Sequence, residues 1–311
     1  MASVSILALA STLQQKETPM KRAAIAVTLL VLALAAAKNE AALLFARNNL
    51  VAWCIVPFDA KNRGPEERAA LLKKLGFTKF VYDWRDKDIP DFDREIDALQ
   101  KQGIKLQGFW TPYPMDPSRP NHIATILDLL KRRKLETELW TMLNPTKEFA
   151  TLPQEKKVEA ASEAIARLAR QAQALHSKVG LYNHGGWFGE PENQIAIIRR
   201  VNMPNVGIVY NFHHAHEQID QFPALLKQML PHLLAVNING MKMGTKILPV
   251  GDGNRELAML QTLKRSGYRG PIGILGHRAE LDAEESLTLN LNGLRKLLPA
   301  LGEAAAQKTY E

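Results

Sequence analysis

Eight short runs of near-continuous apolar residues punctuate the chain, at Leu50–Pro57, Thr78–Trp84, Ile104–Trp110, Glu138–Leu143, Lys178–Asn183, Val206–Asn211, Leu233–Ile238 and Pro271–Leu275. Between them lie longer stretches with apolar residues at helical spacing: Ala69-Leu72-Leu75, Ile96-Leu99, Ile123-Ile126-Leu127-Leu130, Val158–Leu175, Ile195-Ile198-Val201, Leu225-Met229-Leu230 and Leu257-Leu260-Leu263. Runs apolar at successive positions predict parallel strands buried on both faces. Their regular alternation with amphipathic segments predicts βαβ units, and eight such units are the number that closes a barrel. The expected fold is therefore α/β, a single-domain (β/α)8 TIM barrel. An open doubly wound sheet is the alternative architecture. Against it, no Gly-rich phosphate loop follows the first run, where Phe58-Asp59-Ala60 stand instead. No linker rich in Pro, Gly or Ser divides the chain.

The N-terminus does not belong to this alternation. Met20-Lys21-Arg22 opens a basic stretch, an apolar run from Ala23 to Ala37 follows, and polar Lys38-Asn39-Glu40 close it. A charged start, a short apolar core and small residues at its end are the parts of a secretory signal peptide. The run is shorter than the roughly 20 apolar residues that span a bilayer. Residues 1–40 are expected to be a leader, with Met20 as an alternative start, and residues 41–311 the barrel. The mature chain is expected outside the cytoplasm, periplasmic or extracellular, and to touch a membrane only if the leader stays uncleaved.

Composition changes little else. Cys54 is the one cysteine, so no internal disulfide can form. It lies in an apolar run and reads as a buried, inert thiol. No CxxC or Cys/His zinc pattern is present. The formal net charge of +8 is spread along the chain. Its one cluster, Lys131-Arg132-Arg133-Lys134, reads as a solvated helix end, and no nucleic-acid partner is expected.

In a (β/α)8 barrel the active site forms at the carboxyl ends of the strands. His184, His213, His214, His216 and His277 fall at these expected ends, whereas His122, His176 and His232 do not. Barrel stability needs no titratable groups there, so the clustering points to function. Within His213-His214-Ala215-His216 the side chains cannot all face the axis, and one or two are expected to point inward. Trp84, Trp110, Tyr182 and Trp187 fall on the same rim. Their flat faces suit the C–H faces of a sugar, with Asn and His taking its hydroxyls. The plainer reading is that they plug the top of the core.

Four segments carry a family resemblance: Gly180-Leu181-Tyr182-Asn183-His184, Val209-Tyr210-Asn211-Phe212-His213-His214, Leu248-Pro249-Val250-Gly251-Asp252-Gly253 and Ser266-Gly267-Tyr268-Arg269-Gly270-Pro271-Ile272-Gly273-Ile274. Over about residues 50–300 the chain resembles the xylose-isomerase-like barrels, which include sugar phosphate isomerases and epimerases and the type IV apurinic endonucleases. The resemblance implies a divalent metal held by acidic and histidine ligands on strands five to eight. Here the expected Glu of strand five is Tyr182, the Asp of strand six is Asn211, a common His of strand seven is Asn237, and the last strand, where a Glu is implied, ends Leu275-Gly276-His277. Neutral Asn or Tyr oxygens do not replace the carboxylates that hold Mg²⁺ or Mn²⁺. A divalent metal therefore remains open as a cofactor. If one is present, a softer site of His184, His214 and His277 for zinc, copper or nickel is the expectation.

The function expected from this resemblance is that of an exported sugar isomerase or epimerase, or a lyase, which removes a proton next to a carbonyl. His184 or His214 would be the base. Asn183, Asn211, Asn237 and Asn239 would donate to substrate oxygens, while Lys246 and Arg278 would bear on the developing oxyanion. The catalytic set is thus His184, His214, Asn211 and Lys246. Trp110, Tyr182, Asn183, Trp187, Asn237, Asn239, His277 and Arg278 would bind a small carbohydrate. The alternative is a carbohydrate-binding barrel that has lost its metal site and its chemistry. Asp83, Asp252 and Glu217 are the carboxylates nearest the expected rim.

Overall fold

The computed structural model describes residues 43–311 apart from Lys246. The expected leader and Lys246 lie outside the described residues. All eight expected strands form: β1 (Leu50–Trp53), β2 (Lys79–Tyr82), β3 (Lys105–Trp110), β4 (Glu138–Thr141), β5 (Lys178–Tyr182), β6 (Val206–Asn211), β7 (Leu233–Ile238) and β8 (Ile272–Leu275). Each pairs in parallel with its neighbours in sequence, and β1 pairs with β8 from Leu50↔Ile272 to Trp53↔Leu275, closing the barrel. An outer layer of helices follows the strands: α1 (Pro65–Lys74), α2 (Phe92–Lys101), α3 (Ile123–Arg133), α4 (Gln154–Gln173), α5 (Pro191–Val201), α6 (Phe222–Met229), α7 (Glu256–Arg265) and α8 (Ala283–Leu297). Among the described residues no helix is long and apolar enough to cross a membrane.

Where boundaries differ from the sequence pattern, the causes are local. The first apolar run extends to Pro57, but β1 stops at Trp53 because Cys54 takes a left-handed backbone (φ 62°) that turns the chain. The fourth run ends at Thr141. Leu143–Asn144 leave the barrel and pair with Tyr113–Pro114 instead. Helix α4 begins at Gln154, one turn before its apolar spacing, since Pro153 starts it and the first turn is polar. The basic cluster is the last turn of α3, where Arg132 pairs with Asp93 and Asp128 at the surface.

Val51, Trp53, Val81, Trp140, Tyr182, Val209, Ala235 and Leu275 fill the barrel interior. Trp140 is accommodated because its strand neighbours carry glycine: a Cβ on Gly108 would lie 3.2 Å or less from the indole, and one on Gly180 would lie 3.3 Å from it. Large and small residues thus alternate to fill the layer. Outside the barrel, a buried Arg68–Glu95 ion pair (3.0 Å) ties α1 to α2.

The loop after β7 holds the Leu248–Gly253 motif close against α7 and α8. Glu256 opens α7 and accepts from the amides of Gly251 and Gly253 (both 3.0 Å) and Met241 (3.1 Å). Asn290 of α8 accepts from the Val250 amide (3.0 Å). Gly293 lets the loop approach, because a Cβ there would stand 1.6 Å from the Val250 carbonyl oxygen.

Candidate functional site

The carboxyl ends of the strands enclose a recess of about 80 Å³ on the barrel axis, lined by Trp53, Cys54, Phe58, Asp83, Arg85, Trp110, Tyr182, His184, His214 and His277. A second, larger cavity of about 490 Å³ opens beside it. Its lining is mainly apolar, with Met115, Met142, Phe149, Trp187 and Phe188. His184 borders both. The recess alone admits a few atoms of a substrate, and the neighbouring cavity offers room for the remainder.

Tyr182 sits at the floor of the recess, and a hydrogen-bond network fixes its hydroxyl. Trp53 Nε1 donates to Tyr182 Oη (3.1 Å), and Asn211 Nδ2 donates to the same oxygen. The Asn211 amide cannot be turned over, because its Oδ1 accepts from the His213 amide (3.1 Å). Indole nitrogen only donates. Tyr182 Oη therefore accepts twice, and its proton is left to donate toward the recess that it lines. Asn183 locks this arrangement from outside: its Oδ1 accepts from Asn211 N (2.7 Å), and its Nδ2 donates to Asn211 O (3.1 Å). That amide ties β5 to β6 at the level of the site.

The histidines form a belt around the mouth. His184 and His214 rings lie 4.5 Å apart, His214 and His213 4.4 Å, His213 and His277 5.2 Å, and His277 lies tilted against Phe58 at 3.6 Å. Of the His213–His216 run, His214 lines the recess. His216 is buried and turned away, with Nδ1 on the Lys242 carbonyl (2.9 Å). Burial, reinforced by the imidazoles of His213, His184, His277 and His216, pushes His214 down to about 2. Burial and the nearby Arg85 push His277 down to about 4. Partial burial lowers His184 as well. These rings are neutral at neutral pH, and so donate and accept hydrogen bonds without carrying charge.

Three lining residues escape sequence reasoning or change their meaning. Arg85 brings a cation to the rim and anchors itself by donating Nη1 to the carbonyls of Asp83 (2.7 Å) and Trp84 (2.8 Å). Its only sequence signal is its place just past β2. Asp83 is 1 % exposed; one carboxyl oxygen accepts from the Val56 amide (3.2 Å), and Oδ2 has no hydrogen-bond partner. Burial pushes this carboxyl up to about 7, against the opposing pull of Arg85 and Arg68. Cys54 is buried, as expected, but stands beside Asp83 in the recess, where burial raises its thiol.

The remaining expected site residues are distributed unequally. Trp110 lines the recess and Trp187 the larger cavity, where Trp187 packs edge-on to Phe149 and donates to Gln154 Oε1 (2.7 Å). Trp84 is buried outside the recess, donating to the Trp110 carbonyl (2.7 Å) and lining a separate cavity with His122 and Asn144. Asn237 is wholly buried over Gly273, and neither amide atom has a hydrogen-bond partner. Asn239 donates to the Gly240 carbonyl (2.9 Å). Arg278 pairs with Glu280 (2.6 Å) on an outer groove bordered by His277 and Phe58. Asp252 and Glu217 are exposed.

The residues do not fit a family-type metal. At two of the three positions where carboxylates are implied, Tyr182 and Asn211 hydrogen-bond each other, and the third, at the end of β8, offers His277. Among the described residues, no group of three or more His, Cys, Asp or Glu side chains is placed to hold a metal ion. His184 and His214 are ring neighbours, whereas the ring neighbours of His277 are Phe58 and His213. The three imidazoles expected to hold zinc, copper or nickel are not assembled as a ligand set.

Comparison with known proteins agrees with this fold. No curated protein matches the chain in sequence. Among solved structures, the IolI protein with a bound zinc atom superposes with a TM-score of 0.62 at 16% identity, over 81% of this chain and 98% of that one. The 3-keto-D-glucoside 4-epimerase YcjR from E. coli gives 0.61 at 16%, over 81% and 99%. The probable 3-DHS dehydratase AsbF from Bacillus anthracis gives 0.60 at 14%, over 79% and 98%. The family model described as xylose isomerase-like TIM barrel matches residues 70–297. The chain belongs to the xylose isomerase-like TIM barrel family.

Proposed function

We propose that the protein transfers a proton next to the carbonyl of a free or oxidised sugar, as an exported isomerase or epimerase of this family. The observation that carries the reading is the Tyr182 hydroxyl, whose acceptor sites are both occupied and whose proton is left for an oxygen in the recess. A preorganised donor of this kind stabilises the enediolate oxygen as charge develops on it. Neutral His184, at the edge of the recess, takes the carbon-bound proton. His214, too weakly basic to compete, hydrogen-bonds substrate hydroxyls, and the nearby Arg85 adds positive charge at the rim. Lys246 and Arg278 are assigned no step.

Barrels of this class often bind phosphate in the loops after strands seven and eight. Here the amides of Gly251, Gly253 and Met241 in the loop after β7 are taken by the chain's own Glu256. A substrate without a phosphate suits that arrangement, as it suits an exported protein. Incubation with free keto-sugars in D2O tests the reading: deuterium should enter the carbon next to the carbonyl. A sugar that binds, by calorimetry, but stays unlabelled would favour the carbohydrate-binding alternative.

A further inference from the structure

Asp83 and Cys54 reach the recess from the ends of β2 and β1, whereas His214 and His184 reach it from β6 and β5. In a closed barrel of eight strands in sequential order, these pairs stand on opposite walls. Asp83 is 1 % exposed, and its Oδ2 has no hydrogen-bond partner, an arrangement that burial penalises unless the atom serves another purpose. Beside it, Cys54 holds a left-handed backbone (φ 62°), a conformation costly for a residue with a side chain and concentrated at functional sites. That turn ends β1 and places Cys54 next to Asp83.

We infer that Asp83 is a second proton-transfer residue, acting on the face of the substrate carbon opposite to His184. The inference rests on the proposed proton-transfer reading and narrows it to inversion, the outcome of an epimerase. The proton leaves carbon to His184, its bonding pair forms the C=C bond, and the carbonyl pair moves to the oxygen held by Tyr182. The protonated Asp83 carboxyl then gives its proton to the opposite face while the carbonyl re-forms. His184 is left protonated and Asp83 ionised, and both return to their starting forms by exchange with solvent. The reverse direction uses the same two groups with their roles exchanged.

The charged and titratable groups facing Asp83 are Arg85 after β2, Arg68 from α1, Cys54 after β1 and Tyr182 on β5. His184 and His214 stand across the recess, and His277, after β8, borders it beside β1. A carboxyl in this setting is available in both protonation states near neutral pH.

The test uses the full chain and its Asp83→Asn and His184→Asn variants, with D-fructose, D-tagatose and methyl 3-keto-D-glucoside in D2O. The parent should invert and label the carbon. Each variant should lose inversion by about 100-fold or more, yet each should still exchange one epimer, and the two variants opposite epimers. Inversion by Asp83→Asn within threefold of the parent would overturn the inference and leave proton transfer at His184 standing. A parent that neither labels nor inverts any of the sugars would overturn the proposed function and this inference with it. Independently of any sugar, the infrared difference between parent and Asp83→Asn should show a carboxyl titrating near pH 7. A midpoint near 4 would remove Asp83 from the chemistry.

Discussion

Asn211 donates its side-chain amide to the Tyr182 hydroxyl, and so joins two of the three positions at which the family resemblance implies carboxylates. Two negative charges have become one neutral hydrogen bond, extended to Trp53 on one side and to the His213 amide on the other. The positive charge that a metal would supply meets no carboxylate at either of these positions. What remains is a preorganised hydroxyl donor among neutral imidazoles.

Tyr182→Phe removes that donor and leaves Trp53 Nε1 and Asn211 Nδ2 buried without their acceptor. Urea melts should show a loss of about 1–3 kcal/mol. Sugar labelling from D2O should fall about 100-fold or more, the scale for loss of an oxyanion donor. Labelling at the parental rate would take Tyr182 out of the chemistry.

Asp83→Asn should stabilise the protein at high pH and leave it unchanged at low pH. The folded carboxyl titrates at about 7 and the unfolded one near 4, so the folded state binds the extra proton between those values. The contribution of the Asp83 carboxyl to stability is fully present below pH 4, is lost as pH rises to 7, and is flat above. The variant, which lacks the proton, should exceed the parent at pH 8 by up to roughly 4 kcal/mol. Equal melting of both proteins at pH 8 would show that burial does not perturb Asp83.

Gly293→Ala tests how the Leu248–Gly253 loop is seated. The new methyl group would meet the Val250 carbonyl at 1.6 Å, and neither the helix nor the clamped loop can yield without losing the Asn290 and Glu256 hydrogen bonds. A loss of about 1–3 kcal/mol is expected in denaturant melts. An unchanged midpoint would mean that the loop moves freely against α8.

Restoring carboxylates at positions 182 and 211 should restore metal binding, with His214 and His277 as neighbouring ligands. The Tyr182→Glu/Asn211→Asp double variant buries two charges, and without metal should be less stable than the parent by about 3–5 kcal/mol. Mn²⁺ or Zn²⁺ should recover most of that loss, and EDTA should reverse the recovery. The parent's melting should ignore both. A double variant indifferent to metal would show that substitutions elsewhere have also dismantled the site.

Much of this was legible in the chain. Eight apolar runs became eight strands because burial on both faces leaves little choice of residue, and His184, His214 and His277 came to the recess because strand ends define the barrel mouth. The uses of individual side chains were not legible. Asn183 and Asn211 are both amides at strand ends, yet Asn183 bonds only to backbone while Asn211 also reaches Tyr182, a difference set by which way each points. Asp83 looked like one of three carboxylates near the rim; only burial separates it from Asp252 and Glu217. Arg85 carried no motif, and the left-handed turn at Cys54 lay hidden within an apolar run.

The most direct test of the central claim is elemental analysis of the protein, purified without chelator and without an affinity metal. The hydrogen-bonded Tyr182–Asn211 pair predicts zinc, manganese, copper and nickel all far below one per chain, with sugar labelling unaffected by EDTA. A stoichiometric ion whose removal abolishes labelling would contradict it, and would mean that the histidines regroup around a metal.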